Sequence, residues 1–204
     1  MVIHTAAQVS KVKKLNRVII AIDSDETHEA LKDFGYELVM TSKDHQSGTD
    51  RVAEAVESIK DVGVVVNIQA DEPFVDPGLI DRLIDAHSDP SVGMSTLVST
   101  QLSPKDRADE NVVKVYLDEA GFATDFKRIC GATHKHLGIY GFTKETLVEF
   151  VSLEQTDNEK KRSLEQMRAL DNGIKIKAVL TSKDCLSINT LDDLSNVYGG
   201  DNIS

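Results

Sequence analysis

The stretch VGVVVNIQADEP, Val62 to Pro73, decides how the fold is read. Its first half is an almost unbroken aliphatic run, the pattern of a strand buried on both faces of a parallel sheet. Its second half turns abruptly polar. Open α/β sheets gather ligand groups where their strands end, so Gln69, Asp71 and Glu72 stand where a site is expected. Asp71 is the natural metal ligand, because Mg²⁺ takes one or two carboxylates and leaves its other positions to water and phosphate. Equally, Asp71 and Glu72 could only cap the turn before Pro73, and the segment leaves both readings open.

Outward from this strand the chain alternates. Upstream, RVIIAI (17–22) reads as a strand, DSDETHEALKDFG (23–35) as a capped helix closed by Gly35, ELVM (37–40) as a strand, and a helix follows from about Asp50 to Lys60. Downstream, PGLIDRLIDAH (77–87) opens on a proline favoured in a first helical turn, and VGMSTLV (92–98) is a further strand. After Asn111, VVKVYL, GFATDF and HLGIYGF are strand-like runs with no long helix between them, an antiparallel or mixed extension of the sheet. Helices at about 144–152 and 158–172, the strand IKIKAVL (174–180) and a terminal helix in TLDDLSNVYGG, capped by Thr190 or Asn189, complete an α/β chain. We expect one domain over 1–204 with a Rossmann-like, mixed and mostly parallel sheet flanked by helices.

Composition bounds the function. A chain of 204 residues with 40% hydrophobic and 28% charged residues can bury one full core. Its net charge of −11 argues against nucleic acid, whose binders carry a basic excess. Cys130 and Cys185 lie far apart without metal-binding spacing, which points to free thiols and a reducing cytoplasm. No apolar run approaches the roughly 20 residues needed to span a bilayer, so no membrane partner is expected.

Three further segments carry candidate chemistry. DHQSGTDR (44–51) runs into a helix start, where hydroxyls and unpaired amides can hold an anion, or where Ser47 or Thr49 simply caps the helix around Gly48. HLGIYGF places His136, Gly138 and Tyr140 on one side of a strand by its period of two; a glycine there admits a ligand or another strand. In SLEQMRAL (163–170), Leu164, Met167 and Leu170 form a core stripe, and Glu165 and Arg168 share a neighbouring face where a surface salt bridge is the plain reading.

Taken in order, DHQSGTDR, NIQADEP, NVVKV, DFKR, KHLGIYGF, SLEQMRAL and INTLDDL resemble the successive landmarks of CMP-Kdo synthetases, the 3-deoxy-manno-octulosonate cytidylyltransferases, from residue 1 to about 197. The resemblance implies a dimeric enzyme that uses CTP and Mg²⁺ to activate the sugar acid Kdo and releases pyrophosphate. It assigns Ser47, Gly48, Thr49, Arg51, Gln69 and Asp71 to the nucleotide side. His136, Gly138, Tyr140, Glu165 and Gln166 fall on the sugar side with Arg128, whose guanidinium fork suits a sugar carboxylate. Asp71 and Arg128 are the implied catalytic residues. Asp71 is the implied metal ligand, with Asn189 standing where the family has a second, an aspartate.

The chain departs from the family elsewhere too. MVIHTAAQ aligns with the helix that follows the family's first strand and glycine-rich phosphate loop, so a cleft or an apolar strand edge is expected in the sheet. The basic run Lys11, Lys13, Lys14 and Arg17 reads as the solvated end of that helix. The connection between Arg128 and His136 is short, and Ala70 replaces a glycine.

Overall fold

The structure, a computed structural model, describes residues 1–129, 131 and 133–183. Asn189, the expected terminal helix and both cysteines lie outside the described residues.

The chain opens with α1 (Val2–Val9), β1 (Ile19–Ile22), α2 (Asp25–Leu31), β2 (Glu37–Met40), α3 (Gly48–Val56), β3 (Val64–Asn67), α4 (Pro77–Asp85) and β4 (Met94–Ser99). Side-chain caps set the helix starts: Ser24 accepts from the Thr27 amide, Ser47 from Asp50, Asp76 from Gly78, each satisfying an amide that the first turn leaves unpaired. α3 thus begins and ends earlier than its expected Asp50–Lys60 span. Lys11, Lys13, Lys14 and Arg17 lie in the turn after α1, not in its last turn.

The second half runs α5 (Pro104–Ala108), β5 (Lys114–Leu117), β6 (Ala123–Lys127), β7 (His134–Thr143), α6 (Lys144–Ser152), α7 (Asp157–Arg162), α8 (Gln166–Asp171) and β8 (Ile176–Thr181). The single helix expected over 158–172 is broken at Ser163, whose φ of 52° is left-handed. That break carries Leu164 and Gln166 into the interior.

Six strands form one mixed sheet in the order β6-β5-β7-β4-β8, with β3 also on β7. β3, β4 and β5 are each antiparallel to β7, and β8 is parallel to β4. Four of the six therefore run the same way, although the long reversed β7 makes most neighbouring pairs antiparallel. β3 is accordingly not the strand between parallel neighbours that its aliphatic run suggested; its described partner is antiparallel and its burial alternates.

Alternation along β3 sends Val65 to a core shared with Phe142, Phe150, Met167 and the Val52 and Val56 side chains of α3. Val66 points to a second core built from Val9 of α1 and Leu79, Ile80 and Leu83 of α4. β1 pairs in parallel with β2 in a separate two-stranded sheet. Between β1 and β3 lies a groove of about 760 Å³, the cleft that the sequence led us to expect.

Candidate functional site

The carboxyl end of β3, the start of α3, the middle of β7 and the break before α8 meet at a cavity of about 320 Å³ lined by Gly48, Gln69, His136, Gly138, Tyr140 and Ser163–Gln166. These stretches are far apart in the chain. The sheet brings them together because β3 and α8 both pack beside β7, on which the tyrosine and histidine stand.

A polar chain crosses the cavity wall. Gln69 Nε2 donates to Asn67 Oδ1 (3.1 Å), Asn67 Nδ2 to Thr49 Oγ1 (2.9 Å), and Thr49 Oγ1 to Glu165 Oε1 (2.9 Å). Thr49 and Asn67 are fully buried, so each link protects groups that would be expensive to leave unpaired. Burial pushes the Glu165 carboxyl above the ordinary range, while the Thr49 hydroxyl and the Arg168 charge pull it back. A Cβ at Gly48 would come within 2.7 Å of the Gln69 amide, so a side chain there would push that exposed amide away from Asn67.

On the opposite wall, the Tyr140 hydroxyl donates to Gln166 Oε1 (3.1 Å), and Gln166 Nε2 is buried without a hydrogen-bond partner among the described residues. Burial, with the Glu165 charge adding to it, raises the Tyr140 pKa well above its usual value, so the phenol keeps its proton. Thr96 Oγ1 has one proton, which goes to the Ile139 carbonyl (2.9 Å); its contact with His136 Nε2 (2.9 Å) therefore has the imidazole donating. Burial lowers the His136 pKa to about 3, so the ring is neutral with its proton on Nε2.

His136 and Tyr140 do share a face, with ring centroids 5.3 Å apart, but not through a regular strand. Thr96 pairs with Tyr140 and Val98 with His136, so β7 carries two extra residues in a bulge at Leu137–Ile139. Gly138 takes the left-handed conformation (φ +68°) that this bulge requires, with open space where a Cβ would stand.

Other expected residues stand elsewhere. Arg51 binds Asp23 (2.8 Å) and the Thr41 hydroxyl (2.7 Å) and lines the β1–β3 groove, not the cavity. Arg128 spends its guanidinium on the main-chain carbonyls of Glu110, Asn111, Arg162 and Ser163, joining the turn before β5 to the break before α8. Ser47 caps α3 as the plainer reading expected, yet also sits beside Glu165. Arg168 forms no surface bridge with Glu165: it is 2% exposed, holds Glu159 with two nitrogens (2.6 and 2.9 Å) and reaches Asp50 at 3.4 Å.

Asp71 lies two residues beyond Gln69 and is not among the residues that line the cavity; it is half exposed, and its carboxylate forms no hydrogen bond or ion pair with the described residues. No group of three or more His, Cys, Asp or Glu placed to hold a metal occurs among the described residues. A lone unpaired carboxylate does fit Mg²⁺ that takes its remaining ligands from phosphate and water.

The sequence reading missed Lys114 and Thr96. Lys114 is 1% exposed, and its ammonium donates to the Asp109 and Arg128 carbonyls at 2.6 and 2.8 Å, fixing the strand end that carries Arg128. A lysine inside the apolar run VVKVYL was the available signal for it.

The mixed α/β sheet with a polar cavity beside a strand end is a nucleotidyltransferase fold, as its likeness to a CTP-complexed synthetase shows. The structure superposes on CMP:2-keto-3-deoxy-manno-octonic acid synthetase complexed with CTP at a TM-score of 0.89, with 27% identity over 96% of this chain and 85% of that one. It also shares its fold, at TM-score 0.64 and 14% identity, with a 4-diphosphocytidyl-2C-methyl-D-erythritol synthase from Anaerococcus prevotii. The family model described as Cytidylyltransferase matches residues 1–176. The 3-deoxy-manno-octulosonate cytidylyltransferase of Thermodesulfovibrio yellowstonii is 36% identical over 94% of this chain and 84% of its own length, and that of Chlorobaculum parvum 38% over 97% and 85%. The chain belongs to the 3-deoxy-manno-octulosonate cytidylyltransferase family.

Proposed function

We propose that this chain transfers CMP from CTP to Kdo, the sugar acid of its relatives' name, and releases pyrophosphate. The observation that carries this reading is the convergence of the 47–49, 67–69, 136–140 and 163–166 stretches on one cavity, in a chain with this family membership.

The roles are those that the family resemblance implies, and the shared cavity supports them. Gln69, held by Asn67, and the amide-rich start of α3 at Ser47, Gly48 and Thr49 face the nucleotide; Arg51 stands behind them. Glu165, Gln166, Tyr140 and His136 offer a carboxylate, an amide, a phenol and an imidazole to sugar hydroxyls, and Gly138 leaves the ring room. The anomeric oxygen of Kdo attacks the α-phosphorus, its proton passes to a nearby base, and the bond to pyrophosphate breaks. Glu165, the carboxylate lining the cavity, is the group placed to take that proton. Mg²⁺ held by Asp71 would offset charge on the phosphate oxygens, with Asn189 as the family's second position. Arg128 contributes by holding the 162–163 break in place. A homodimer working in the cytoplasm completes the reading.

One observation favours a second reading. Among the described residues the cavity lining contains no lysine or arginine, and Arg51, Arg128 and Arg168 are all engaged, so the chain could bind sugar without managing a triphosphate. Pyrophosphate release from CTP, Kdo and Mg²⁺ decides between them. Turnover that Asp71→Ala abolishes supports the enzyme; no turnover, with a thermal shift from Kdo alone, supports the binding module.

A further inference from the structure

The cavity wall that carries Ser163–Gln166 is held by an exchange between two arginines. Arg128, just past the end of β6, donates to the carbonyls of Arg162 (3.3 Å) and Ser163 (3.2 Å) at the break between α7 and α8. Arg162, the last residue of α7, donates back through Nη1 to Asp125 Oδ1 (2.5 Å) and to the Phe126 carbonyl (3.0 Å) of β6. Both protons of that nitrogen are thereby used. Each segment grips the other's main chain with its own guanidinium.

An ion pair near the surface contributes little by its charge alone, and the Arg162 and Asp125 side chains are 29% and 25% exposed. Asp125 also holds Lys127 at 2.8 Å. What sets Arg162 apart is where its bonds lead. β6 ends the sheet, and the Phe126 ring and Met167, whose sulfur lies 3.7 Å from Arg162 Nη1, belong to one core, so Arg162 ties the break to a fixed edge. The break needs such a tie. Ser163 is left-handed (φ 52°), a conformation that a residue with a Cβ keeps only where its surroundings impose it, whereas the sequence pattern alone favours one continuous helix through it.

We infer that Arg162 is a positioning residue for the sugar side of the cavity: with Arg128 it clasps the break to β6 and so fixes Ser163–Gln166 as part of the wall. Arg162 is not among the residues that line the cavity and acts through those that do. Without the clasp, Ser163 can return to the right-handed region and α7 and α8 can merge, which draws Gln166 away from the Tyr140 hydroxyl. Glu165 keeps an independent hold in Thr49, and the 47–49 and 67–69 stretches lie on other elements, so the loss falls on the sugar. The kinetic consequence rests on the transfer reaction proposed above; the clasp does not.

Arg162→Gln in the whole chain tests the inference. Hydrogen exchange should quicken at residues 163–168 and stay unchanged across β3 and β4. In pyrophosphate release the KM for Kdo should rise about tenfold or more, while kcat and the KM for CTP move by less than about twofold. Asp125→Ala, which removes the partner and leaves the break's own residues intact, should shift the same quantities in the same direction. Arg162→Lys should recover part of the loss, and Lys161→Gln, which removes an exposed neighbouring charge, should change nothing. Two results would overturn the inference: unchanged exchange at 163–168, which would show that the break holds itself, or a KM for CTP that rises as far as the KM for Kdo, which would show a general loss of structure. If the wild-type chain releases no pyrophosphate, the transfer reading fails alone, and the exchange pattern still decides whether Arg162 holds the wall.

Discussion

The Thr49 hydroxyl donates to the Glu165 carboxylate across 2.9 Å although 116 positions separate the two residues. One link in the polar chain from Gln69 thus ties α3, on the nucleotide side of the cavity, to the break before α8 on the sugar side. Thr49→Val keeps the shape and removes both the donor to Glu165 and the acceptor for Asn67. Leaving a buried polar group unsatisfied costs roughly 1–3 kcal/mol, so urea unfolding should report a loss of about that size. Thr49→Ser, which keeps the hydroxyl, should recover most of it.

Glu165 should behave as a site residue that burdens the fold. Its pKa is raised by burial, so the folded state binds this proton more tightly than the unfolded chain does. Between the ordinary glutamate value and the raised one the folded state holds more protons, and stability falls as pH rises through that window. Glu165→Gln removes the charge but can still accept from Thr49. Its unfolding free energy should therefore match or exceed wild type at neutral pH, with the difference vanishing at acid pH, while sugar-dependent pyrophosphate release drops. Lower stability at both pH values would show that the carboxylate is structural.

His136 has the opposite sign. Its pKa is lowered from 6.5 to about 3, so below 6.5 the unfolded chain takes up a proton that the folded chain refuses. This contribution to stability is complete above the ordinary histidine value and is lost as pH falls toward 3. His136→Gln, which keeps a donor for Thr96, should flatten that acid limb of a stability–pH curve and leave the neutral plateau little changed. Nitrogen-15 NMR should find the wild-type ring neutral, protonated at Nε2, at pH 5.

What the sequence showed and what it hid divide along physical lines. The start of α4 was legible because Pro77 marks a first helical turn, and Ser47 was one of the two caps open for α3, although that helix begins two residues before the expected Asp50. The polar end of β3 was legible because Gln69 and Asp71 interrupt an aliphatic run. The break at Ser163 was not, since neither glycine nor proline marks it and the left-handed turn is imposed by packing on both sides. Nor was the bulge, because His136, Gly138 and Tyr140 keep the parity of a regular strand when two residues are inserted. Arg128 and Arg168 misled most: guanidinium groups look solvated or ligand-bound in a sequence, and only the folded chain shows that carbonyls hold one and a buried glutamate the other.

Arg168 is correspondingly a stability residue. It lies over the Phe150 ring at 4.8 Å while binding Glu159, which is 4% exposed. Truncating one member of a buried pair strands the other charge and costs about 3–5 kcal/mol. Arg168→Ala should approach that loss in urea unfolding, and Arg168→Lys should recover only part of it, since an ammonium cannot reproduce the two-nitrogen contact. Removing both partners, Arg168→Met with Glu159→Leu, should be much less harmful than the sum of the two single changes. Strict additivity would mean the pair contributes nothing.

Asp71 should show the reverse separation of stability from activity. Its carboxylate is half exposed and unpartnered among the described residues, so nothing in the fold depends on its charge, and surface changes of this kind usually shift stability by no more than about 0.5 kcal/mol. Asp71→Asn should therefore unfold with wild-type urea dependence. If Asp71 is the protein's ligand for Mg²⁺, the neutral amide should lower turnover steeply and move half-activation to higher magnesium concentration, since the ion keeps only its phosphate and water oxygens. A variant with wild-type magnesium dependence would remove Asp71 from the metal site and turn attention to the glutamine beside it. The concentration profile matters more than the rate alone, because a misfolded site lowers turnover at every magnesium concentration whereas a lost ligand is partly compensated by excess ion.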